Sequence, residues 1–396
     1  MAMTHRARML AAIRGESTDQ LPWAPRLDLW AIAQQARGTL PPALAGLDTA
    51  GLADALGVGC HAVRADYTRP RDRRELMLRG IGFDNHPDYP FRVEVRGLPV
   101  AFEHDAGNLR TRVTTPAGDV VLHLELTREM ARNGISIPFV HSYAVRTLDD
   151  LEAVARMFEH LEVIPTPAAY AEFRRRIGER GLAVATGPIA ASPLHLLLHE
   201  LMPMEQFFYL YADERERLLA LARRLEPFYE AVLDAVLQCD AEVVFWGANY
   251  DQDLTWPPFF AEEIAPWLQR VARRLHAAGK LLLTHCDGEN QRLLPHYPAC
   301  GFDIAESVCP TPMTRCTLAE LRQGFGPRTT VWGGIPSVIL LDTEMDDDAF
   351  GRYLDAVLRQ AAQGSRLILG VSDNVPPDAN LAPLAEIWRR CRETRR

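Results

Sequence analysis

The sequence lacks the features of a secreted, membrane-spanning or nucleic-acid-binding protein. Its opening, MAMTHRARMLAAIRGES, has charges inside a short apolar run, so it does not predict a signal peptide. No run reaches the roughly 18 uninterrupted apolar residues that a membrane helix needs. The formal net charge of -9 gives nucleic-acid binding little electrostatic support. The seven cysteines show no paired spacing, which is typical of a reducing compartment, so we expect a cytoplasmic protein.

Two common cofactor and metal motifs are also missing. No glycine-rich fingerprint follows the first predicted strand, which weakens a dinucleotide-binding interpretation. HLLLHE places His195 and His199 four residues apart, but Leu196 stands where zinc proteases carry a glutamate. We interpret both histidines as structural residues of a packed helix, with metal binding as the alternative. The chain has one basic cluster, for which we expect a solvated loop and keep anion binding as the alternative: Arg69, Arg71, Arg73 and Arg74.

What the sequence does have is a repeated unit in which a helical segment precedes a short apolar strand that ends in polar residues. Apolar runs between helices indicate parallel strands buried on both faces. Five such units fill the second half, and PWAPRL and CHAVRA near the start bring the count close to eight. We therefore predict an α/β fold, a (β/α)8 TIM barrel forming a single domain over residues 1–396. Residues 91–125 alternate β-branched and polar residues between turn signals, which predicts an inserted antiparallel β-hairpin region.

The polar residues at the strand ends are the functional candidates, because reacting groups of such barrels lie on the loops that follow the strands. Several buried carboxylates facing one cavity repel each other unless a cation or a shared proton offsets their charge. A divalent metal is the simplest such cation, and helix capping is the alternative role for Asp and Asn. The candidates are Arg26, Asp28, Asn249, Asp251, Asp253, His285, Cys286, Asp287, Asp303, Glu306, Asp373 and Asn374.

The stretch LLLTHCDG offers three adjacent metal ligands at the end of one predicted strand. Strand alternation places His285 and Asp287 on one side and Cys286 on the other. We therefore predict that His285 and Asp287 face the cavity and that Cys286 is a buried bystander. Trp246 lies near the end of another predicted strand, where it either walls a ligand or packs in the core.

Several stretches resemble the uroporphyrinogen decarboxylase superfamily, which includes porphyrinogen decarboxylases and methyltransferases that exchange methyl groups with a corrinoid on a partner protein. They are RARMLAAIRGESTDQLPW, the region from NYDQDLTW to SVCPTPM, VWGGIPS and ILGVSDNVPPDANL. The resemblance spans nearly the whole chain and implies a (β/α)8 barrel and a homodimer. True decarboxylases carry an arginine-rich segment after the first strand, whereas Arg26 stands alone in PWAPRLDLWAIAQQ. The methyltransferase branch is therefore the better match.

Zinc-dependent members of that branch bind the metal through one histidine and two cysteines. The resemblance places these ligands at His285, Asp287 and Asp373, so carboxylates stand at both thiolate positions. This set keeps the formal ligand charge, but oxygen donors leave a metal more Lewis acidic and suit an ether oxygen, a carbonyl or a bound water. The resemblance thus implies a divalent metal, with zinc as the first expectation.

Three functions remain open at this stage. The first is a metal-dependent methyltransferase that moves a methyl group between a small oxygen- or nitrogen-linked substrate and a corrinoid on a partner protein. The second is a decarboxylase or related lyase of a small carboxylic acid, with Arg26 or Arg64 on the carboxylate and Asp28 or Asp287 as the acid. The third is a non-catalytic ligand-binding barrel. The catalytic candidates are His285, Asp287, Asp251 and Glu306. The substrate-binding candidates are Arg26, Asp28, Asn249 and Trp246.

Overall fold

The structure is a computed structural model that describes residues 2–65, 73–76, 78–83, 85–135, 137–341, 346–362 and 364–394. The basic cluster predicted as a solvated loop lies outside the description. Arg69 and Arg71 are not among the described residues, and neither are the side chains of Arg73 and Arg74.

The helices alternate with the strands along the second half of the chain. The helices are α1 (His5–Arg14), α2 (Asp28–Arg37), α3 (Thr49–Leu56), α4 (Arg128–Arg132), α5 (Asp150–Glu159), α6 (Pro167–Ile177), α7 (Pro193–Leu196), α8 (Met204–Asp213), α9 (Arg215–Leu237), α10 (Pro257–Phe259), α11 (Ala265–Ala277), α12 (Tyr297–Cys300), α13 (Leu318–Phe325), α14 (Asp347–Ala361) and α15 (Leu381–Glu393). The strands are β1 (Phe91–Val95), β2 (Val100–Asp105), β3 (Asn108–Thr115), β4 (Gly118–Glu125), β5 (Phe139–Ser142), β6 (Leu161–Pro165), β7 (Ala185–Thr186), β8 (Val243–Ala248), β9 (Leu281–His285), β10 (Ile304–Val308), β11 (Thr330–Pro336) and β12 (Leu367–Ser372). One π-helical turn, Leu197–Leu201, follows α7, and another, Phe260–Ile264, follows α10.

Local sequence signals account for the bounds of α1. The Thr4 hydroxyl accepts a hydrogen bond from the Ala7 backbone N–H at 3.1 Å, which caps the first turn. Gly15 ends the helix with a φ of 78°, a left-handed conformation that glycine adopts without steric cost.

One predicted helix is shorter in the structure than its sequence pattern indicated. The helix predicted near residues 290–300 is only α12, because His296, Pro298 and Gly301 leave room for a single turn.

Six strands form one parallel sheet in the order β12-β11-β10-β9-β8-β7. Every residue of β8, β10, β11 and β12 is buried, as expected for parallel strands with helices on the outer face. Along the sequence, the strands of this sheet alternate with helices. The prediction of an α/β fold with a parallel sheet is therefore confirmed.

Two early segments lie at the edges of this sheet without forming regular strands. Trp23 bridges in parallel to Leu369 of β12, and Cys60 bridges in parallel to Gly181, just before β7. The two segments also contact each other, because the Gly59 N–H donates to the Trp23 carbonyl at 2.9 Å. The segments PWAPRL and CHAVRA thus occupy the sheet edges but are shorter and less regular than predicted.

Antiparallel strands are present in the region predicted for hairpins, with different bounds. Strands β2, β3, β4 and β5 form a four-stranded antiparallel sheet that continues to Ser142, beyond residue 125. Strand β1 belongs to another sheet, where it pairs with β6 in antiparallel register. Gly107, with a φ of 95°, lies in the turn between β2 and β3, and Gly118, with a φ of 126°, begins β4 directly after the next turn.

The inner face of the parallel sheet packs an apolar layer beneath its carboxyl edge. Phe245 of β8, Leu283 of β9 and Ile304 of β10 belong to one inner cluster. Alternation along each strand then directs the residue two positions later to the same face, nearer the strand end.

Among the described residues, no helix combines the length and the hydrophobicity that crossing a membrane requires.

Candidate active site

A pocket of about 280 Å³ opens at the carboxyl edge of the parallel sheet. Apolar residues such as Leu29, Ile137 and Ile189 form one part of its wall. This volume is at the lower end of those typical of small-molecule sites, so the pocket suits a compact ligand. Its polar lining comes from strand ends and from the loops that follow them. The polar lining residues are Arg26, His61, Arg64, Arg79, Asn249, His285, Asp287, Glu306 and Asp373.

Strand alternation explains why the β9 residues reach this pocket. Leu283 lies in the inner apolar cluster, and His285 and Asp287 follow at intervals of two. Cys286 is fully buried and belongs to the outer core, between the sheet and the helices. Burial raises the pKa of the Cys286 thiol well above its usual value, with Glu306 adding to the effect. The cysteine next to the predicted ligands is therefore a packing residue.

Glu306 is a buried carboxylate that contacts two histidines. Its Oε2 lies 2.6 Å from His285 Nδ1, and its Oε1 lies 2.9 Å from His61 Nε2. Burial favours its neutral form, but the charge and hydrogen bond of His285 and the contact with His61 outweigh burial and lower the pKa of Glu306 far below its usual range. A β-bulge after Glu306, with Ser307 at a φ of 60°, bends β10 at this point. Glu306 therefore acts as an anionic clamp that orients both imidazole rings.

His285 is the histidine whose protonation this clamp controls. Burial alone would lower its pKa, but Glu306, Asp373 and Asp287 outweigh burial and raise the pKa above its ordinary value. Its Nε2 lies 3.7 Å from Asp373 Oδ1. Because Nδ1 is directed at Glu306, the ring presents Nε2 to the pocket.

Arg26 forms a second charged group with two carboxylates. Its Nε donates to Asp28 Oδ1 at 2.9 Å, and its Nη1 donates to Asp373 Oδ1 at 3.1 Å. Burial would raise the pKa of Asp373, but the Arg26 and His285 charges outweigh it and lower that pKa. Asp373, which directly follows β12, is therefore ionised, and the Arg26 guanidinium neutralises its charge.

Asp287 differs from the other carboxyl groups of the pocket. Burial raises its pKa, and the neighbouring Asp373 and Glu306 charges reinforce that effect against the opposing influence of His285. No arginine or lysine of the described residues forms an ion pair with it in the structure. Asp287 is thus the pocket's carboxyl group that most readily retains a proton.

Three arginines line the pocket, and they differ in whether a carboxylate of the described residues neutralises the guanidinium charge. Arg26 contacts Asp28 and Asp373, and Arg79 Nη1 donates to Glu200 Oε1 at 2.7 Å. Arg64 is half-buried with its guanidinium 4.7 Å from the centre of the Phe245 ring. No carboxylate of the described residues pairs with Arg64. The pocket therefore contains one guanidinium available to an anion.

Asn249 also lines the pocket, and a relay of hydrogen bonds through His199, Glu200 and Arg79 supports its side chain. It follows β8 in a left-handed conformation with a φ of 59°, which asparagine tolerates better than most residues. Its Nδ2 lies 3.0 Å from His199 Nε2, and His199 Nδ1 lies 2.9 Å from Glu200 Oε1. Arg79 binds the same oxygen of Glu200, which closes the relay.

Three predicted site residues lie outside the pocket lining, each for an identifiable reason. Trp246 is next to the inward-facing Phe245 on β8, so alternation directs it into the outer core, where its Nε1 donates to the Ala191 carbonyl at 3.0 Å. Asp251 accepts hydrogen bonds from the Asp253 and Glu289 backbone N–H groups and braces the loop after β9. Asp28 is buried against Arg26, so it holds the arginine and does not line the cavity.

Asp303 also differs from its predicted position. It precedes β10 and lies at the amino edge of the sheet, where its Oδ2 contacts His276 at 2.8 Å and accepts the Leu282 N–H. The strand prediction GFDIAES was correct, but its polar residues divide between the two ends of the strand.

The sequence analysis did not single out His61, Arg79 or Glu200. His61 had a usable signal, since it lies in the apolar segment CHAVRA as His285 lies in LLLTH. Arg79 and Glu200 had none, because a buried ion pair between residues 121 positions apart leaves no local pattern. His199, interpreted as structural, contacts a pocket residue through Asn249, whereas His195 is fully buried and accepts the Ala191 N–H.

The predicted metal ligands do not fit a metal ion as the structure arranges them. Across the described ranges, no group of three or more His, Cys, Asp and Glu side chains is placed to hold one. Asp373 already contacts Arg26 through Oδ1, the same oxygen that lies 3.7 Å from His285 Nε2. A metal bound there would have to displace the guanidinium that compensates Asp373.

Comparison with known proteins shows the family. A search of curated proteins found no match. Among solved structures, a methyltransferase from Methanosarcina mazei shares the fold at 17% identity, with 99% of each chain covered and a TM-score of 0.55. The family model described as uroporphyrinogen decarboxylase (URO-D) matches residues 101–394, about three quarters of the chain, including His285, Asp287, Glu306 and Asp373. This chain therefore belongs to the uroporphyrinogen decarboxylase family.

Proposed function

We propose that this protein is an enzyme that binds a small carboxylic acid and delivers a proton from Asp287 to the reacting carbon, as in a decarboxylase or related lyase. The observation that carries the proposal is one pocket that contains both a carboxyl group with a raised pKa and an arginine that pairs with no carboxylate of the described residues. A general acid has to retain its proton near neutral pH, and an anionic substrate needs a cation. We assign the first role to Asp287, whose pKa burial raises, and the second to Arg64.

Arg64 is the proposed contact for the substrate carboxylate. The guanidiniums of Arg26 and Arg79 are each bound to carboxylates of the protein, so an anion would have to compete for them. Arg64 instead lies against the Phe245 ring, which holds its planar group while leaving its N–H donors available. The substrate would align its carboxylate with this group and place its remaining atoms toward Asp287.

Asp287 is the proposed proton donor. A substrate carboxylate adds negative charge to the pocket and therefore favours the neutral form of Asp287 still further. In a decarboxylation, the bond between the carboxylate carbon and its neighbour breaks, CO₂ leaves, and the electron pair remains on the neighbouring carbon. Asp287 then transfers its proton to that carbon and becomes a carboxylate. The substrate has to provide a π-system that accepts the electron pair before protonation.

We assign to His285 the return of a proton to Asp287, through water in the pocket. Its raised pKa keeps the ring protonated more readily than an ordinary histidine, and Glu306 fixes its orientation. A proton passes from the His285 imidazolium to the Asp287 carboxylate, and solvent then reprotonates the histidine. His61 shares the Glu306 carboxylate and limits its rotation, so it is a positioning residue.

The test is consumption of small carboxylic acids in D₂O by purified protein, with Asp287→Asn as the comparison. The proposal predicts CO₂ release and one deuterium on the carbon that carried the carboxylate, both lost in the variant. Asp287→Asn keeps the shape of the side chain and removes only its acid function. Turnover that survives in this variant would refute the assignment of Asp287.

We also propose a closed (β/α)8 barrel for the architecture, as a single domain. The backbone contacts support closure, since residues 22–24 bond to β12, residues 60–62 bond to the segment at residues 180–184 before β7, and Gly59 bonds to Trp23. A closed barrel would then count eight parallel segments around the inner apolar cluster. The proposed active site would then lie at the carboxyl end, where barrels place their reacting groups.

A second candidate is methyl transfer from an oxygen- or nitrogen-linked substrate, favoured by the apolar wall of Leu29, Ile137 and Ile189. In this reaction the bond between the methyl carbon and its heteroatom breaks, and Asp287 protonates the heteroatom that leaves. The methyl acceptor would be a corrinoid carried by a separate protein. Incubation of the protein with a methoxylated aromatic acid and a reduced corrinoid would separate the two candidates. Methylated corrinoid without CO₂ would favour this second function.

A further inference from the structure

We propose that Asn249 is a specificity-determining residue whose amide orientation is fixed by the relay Arg79–Glu200–His199, so that its oxygen accepts a hydrogen bond from a hydroxyl or amino group of the substrate. The inference rests on the proposed function, because it assigns a second group to the same small carboxylic acid. It divides the pocket into an anion contact at Arg64 and a neutral acceptor at Asn249.

The relay begins with an ionised carboxylate. Burial would raise the pKa of Glu200, but the charge of Arg79 and the hydrogen bond from His199 outweigh burial and lower the pKa to about 2. A carboxylate only accepts hydrogen bonds, so the His199 nitrogen that lies 2.9 Å from Glu200 has to carry a hydrogen. Glu200 therefore selects the tautomer of His199 that is protonated on Nδ1.

The tautomer of His199 then determines the orientation of Asn249. Arg79 already supplies one positive charge to Glu200, so the carboxylate does not need an imidazolium for compensation. In the neutral ring protonated on Nδ1, Nε2 is an acceptor, and the amide has to direct an N–H to it at 3.0 Å. The amide oxygen is then left for another partner. Because Asn249 lines the pocket, a substrate donor is the partner that the geometry favours.

The surrounding packing holds this relay in place. Arg79 and Glu200 are both buried, and their side chains come from a short 3-10 turn and from the π-helical turn after α7. Gly82 lies between these turns with a φ of 82°, and a Cβ there would meet Leu196 Cδ1 at 2.6 Å. Glycine thus allows the turn that carries Arg79 to approach the helix that carries Glu200.

The first test concerns the tautomer and needs no substrate. In protein labelled with ¹⁵N-histidine at pH 8, we expect the His199 signal to show the hydrogen on Nδ1, assigned by its loss in His199→Gln. The signal should change in Glu200→Gln and stay unchanged in Asp88→Asn, which disrupts a part-buried ion pair with Arg176, a residue outside the relay. A His199 ring protonated on Nε2 alone, or on both nitrogens, would overturn the proposed orientation.

The second test measures binding of matched ligands by calorimetry. The probes are mandelate with phenylacetate and 4-hydroxybenzoate with benzoate, each pair differing by one hydroxyl. We expect wild-type protein to bind the hydroxylated member of at least one pair about tenfold more tightly, the usual size of one such hydrogen bond. This preference should disappear in Asn249→Ala and persist in Asp88→Asn.

The outcomes of the binding test are distinct. If the wild type binds carboxylates without preference for the hydroxylated member, the role of Asn249 is refuted and the carboxylate site stands. If Asn249→Ala retains the wild-type preference, the hydroxyl is recognised elsewhere and the inference fails. If none of the four carboxylates binds to the wild type, the proposed function fails together with the inference.

Discussion

The contact of Glu306 with two histidines predicts a specific pH dependence of stability, which Glu306→Gln should remove. In the wild type the raised pKa of His285 means that the folded protein holds a proton that the unfolded chain releases near pH 6.5. Folding is therefore favoured below about pH 6.5, and this stabilisation is lost as the pH rises through the folded-state pKa of His285. One proton corresponds to a slope of at most about 1.4 kcal/mol per pH unit.

Glutamine at position 306 keeps the shape of the side chain and removes its charge. Its amide oxygen accepts from one imidazole and its amide nitrogen donates to the other, so the contacts at 2.6 and 2.9 Å retain partners. The largest influence that raises the pKa of His285 is gone, and burial then dominates. We expect the loss of stability between pH 6.5 and 8 to disappear, together with a loss of about 1.5–3 kcal/mol near pH 6 from the missing charge-assisted bonds.

The assay is urea unfolding followed by tryptophan fluorescence at several pH values from 5.5 to 8.5. Glu125→Gln is the matched control, because Glu125 forms a 2.8 Å pair with His141 that is about one third exposed on each side. Such surface pairs contribute about 0–1 kcal/mol, so this variant should follow the wild-type pH profile. Parallel profiles for wild type and Glu306→Gln between pH 6.5 and 8 would refute the argument that Glu306 controls His285.

Three further predictions concern the pocket. The catalytic rate should fall as the pH rises through the raised pKa of Asp287, because only the protonated form donates a proton. Asp287→Asn should abolish turnover at every pH. Arg64→Gln should weaken carboxylate binding by about 10- to 100-fold in calorimetry, with Arg64→Lys retaining part of the affinity and equal affinity in all three proteins contradicting the anion site. Arg26→Gln should destabilise the protein by about 3–5 kcal/mol in urea, because the buried carboxylate of Asp28 and the half-buried carboxylate of Asp373 lose their cation. Elemental analysis of the wild type should find less than one zinc per chain. Stoichiometric zinc in the wild type would contradict the pairing of Asp373 with Arg26.

The sequence predicted best what depends on local pattern. The helix–strand alternation gave the parallel sheet, and the period of two along LLLTHCDG correctly separated His285 and Asp287 from Cys286. At β8 we named Trp246 a substrate-binding candidate because it lies near a strand end, with core packing as the alternative, and the structure places it in the outer core while its neighbour Phe245 belongs to the inner cluster. Periodicity fixes which residues share a face, but it does not say which face is the inner one.

Long-range charge pairing accounts for most of what the sequence could not provide. Arg26 and Asp373 are 347 positions apart, and His61 and Glu306 are 245 positions apart. No motif announces such pairs, because their partners meet only when the strand ends assemble. The sequence analysis therefore saw an uncompensated set of carboxylates and inferred a metal. The structure supplies arginine or histidine partners for Asp373 and Glu306, whereas Asp287 forms no ion pair with an arginine or lysine of the described residues.

This compensation changes the meaning of the two carboxylates that stand where the resemblance places thiolates. A metal-bound thiolate exchanges its proton for the metal, whereas a carboxyl group beside other carboxylates tends to keep its proton. Asp373 forms an ion pair with Arg26 through a single N–H···O contact of 3.1 Å, and its charge in turn raises the pKa of Asp287. The two carboxylates thus support each other: Asp373 provides an ionised partner for Arg26, and Asp287 is the acid of the proposed function. We infer that the pocket relies on proton transfer at the position where related enzymes are expected to bind a metal.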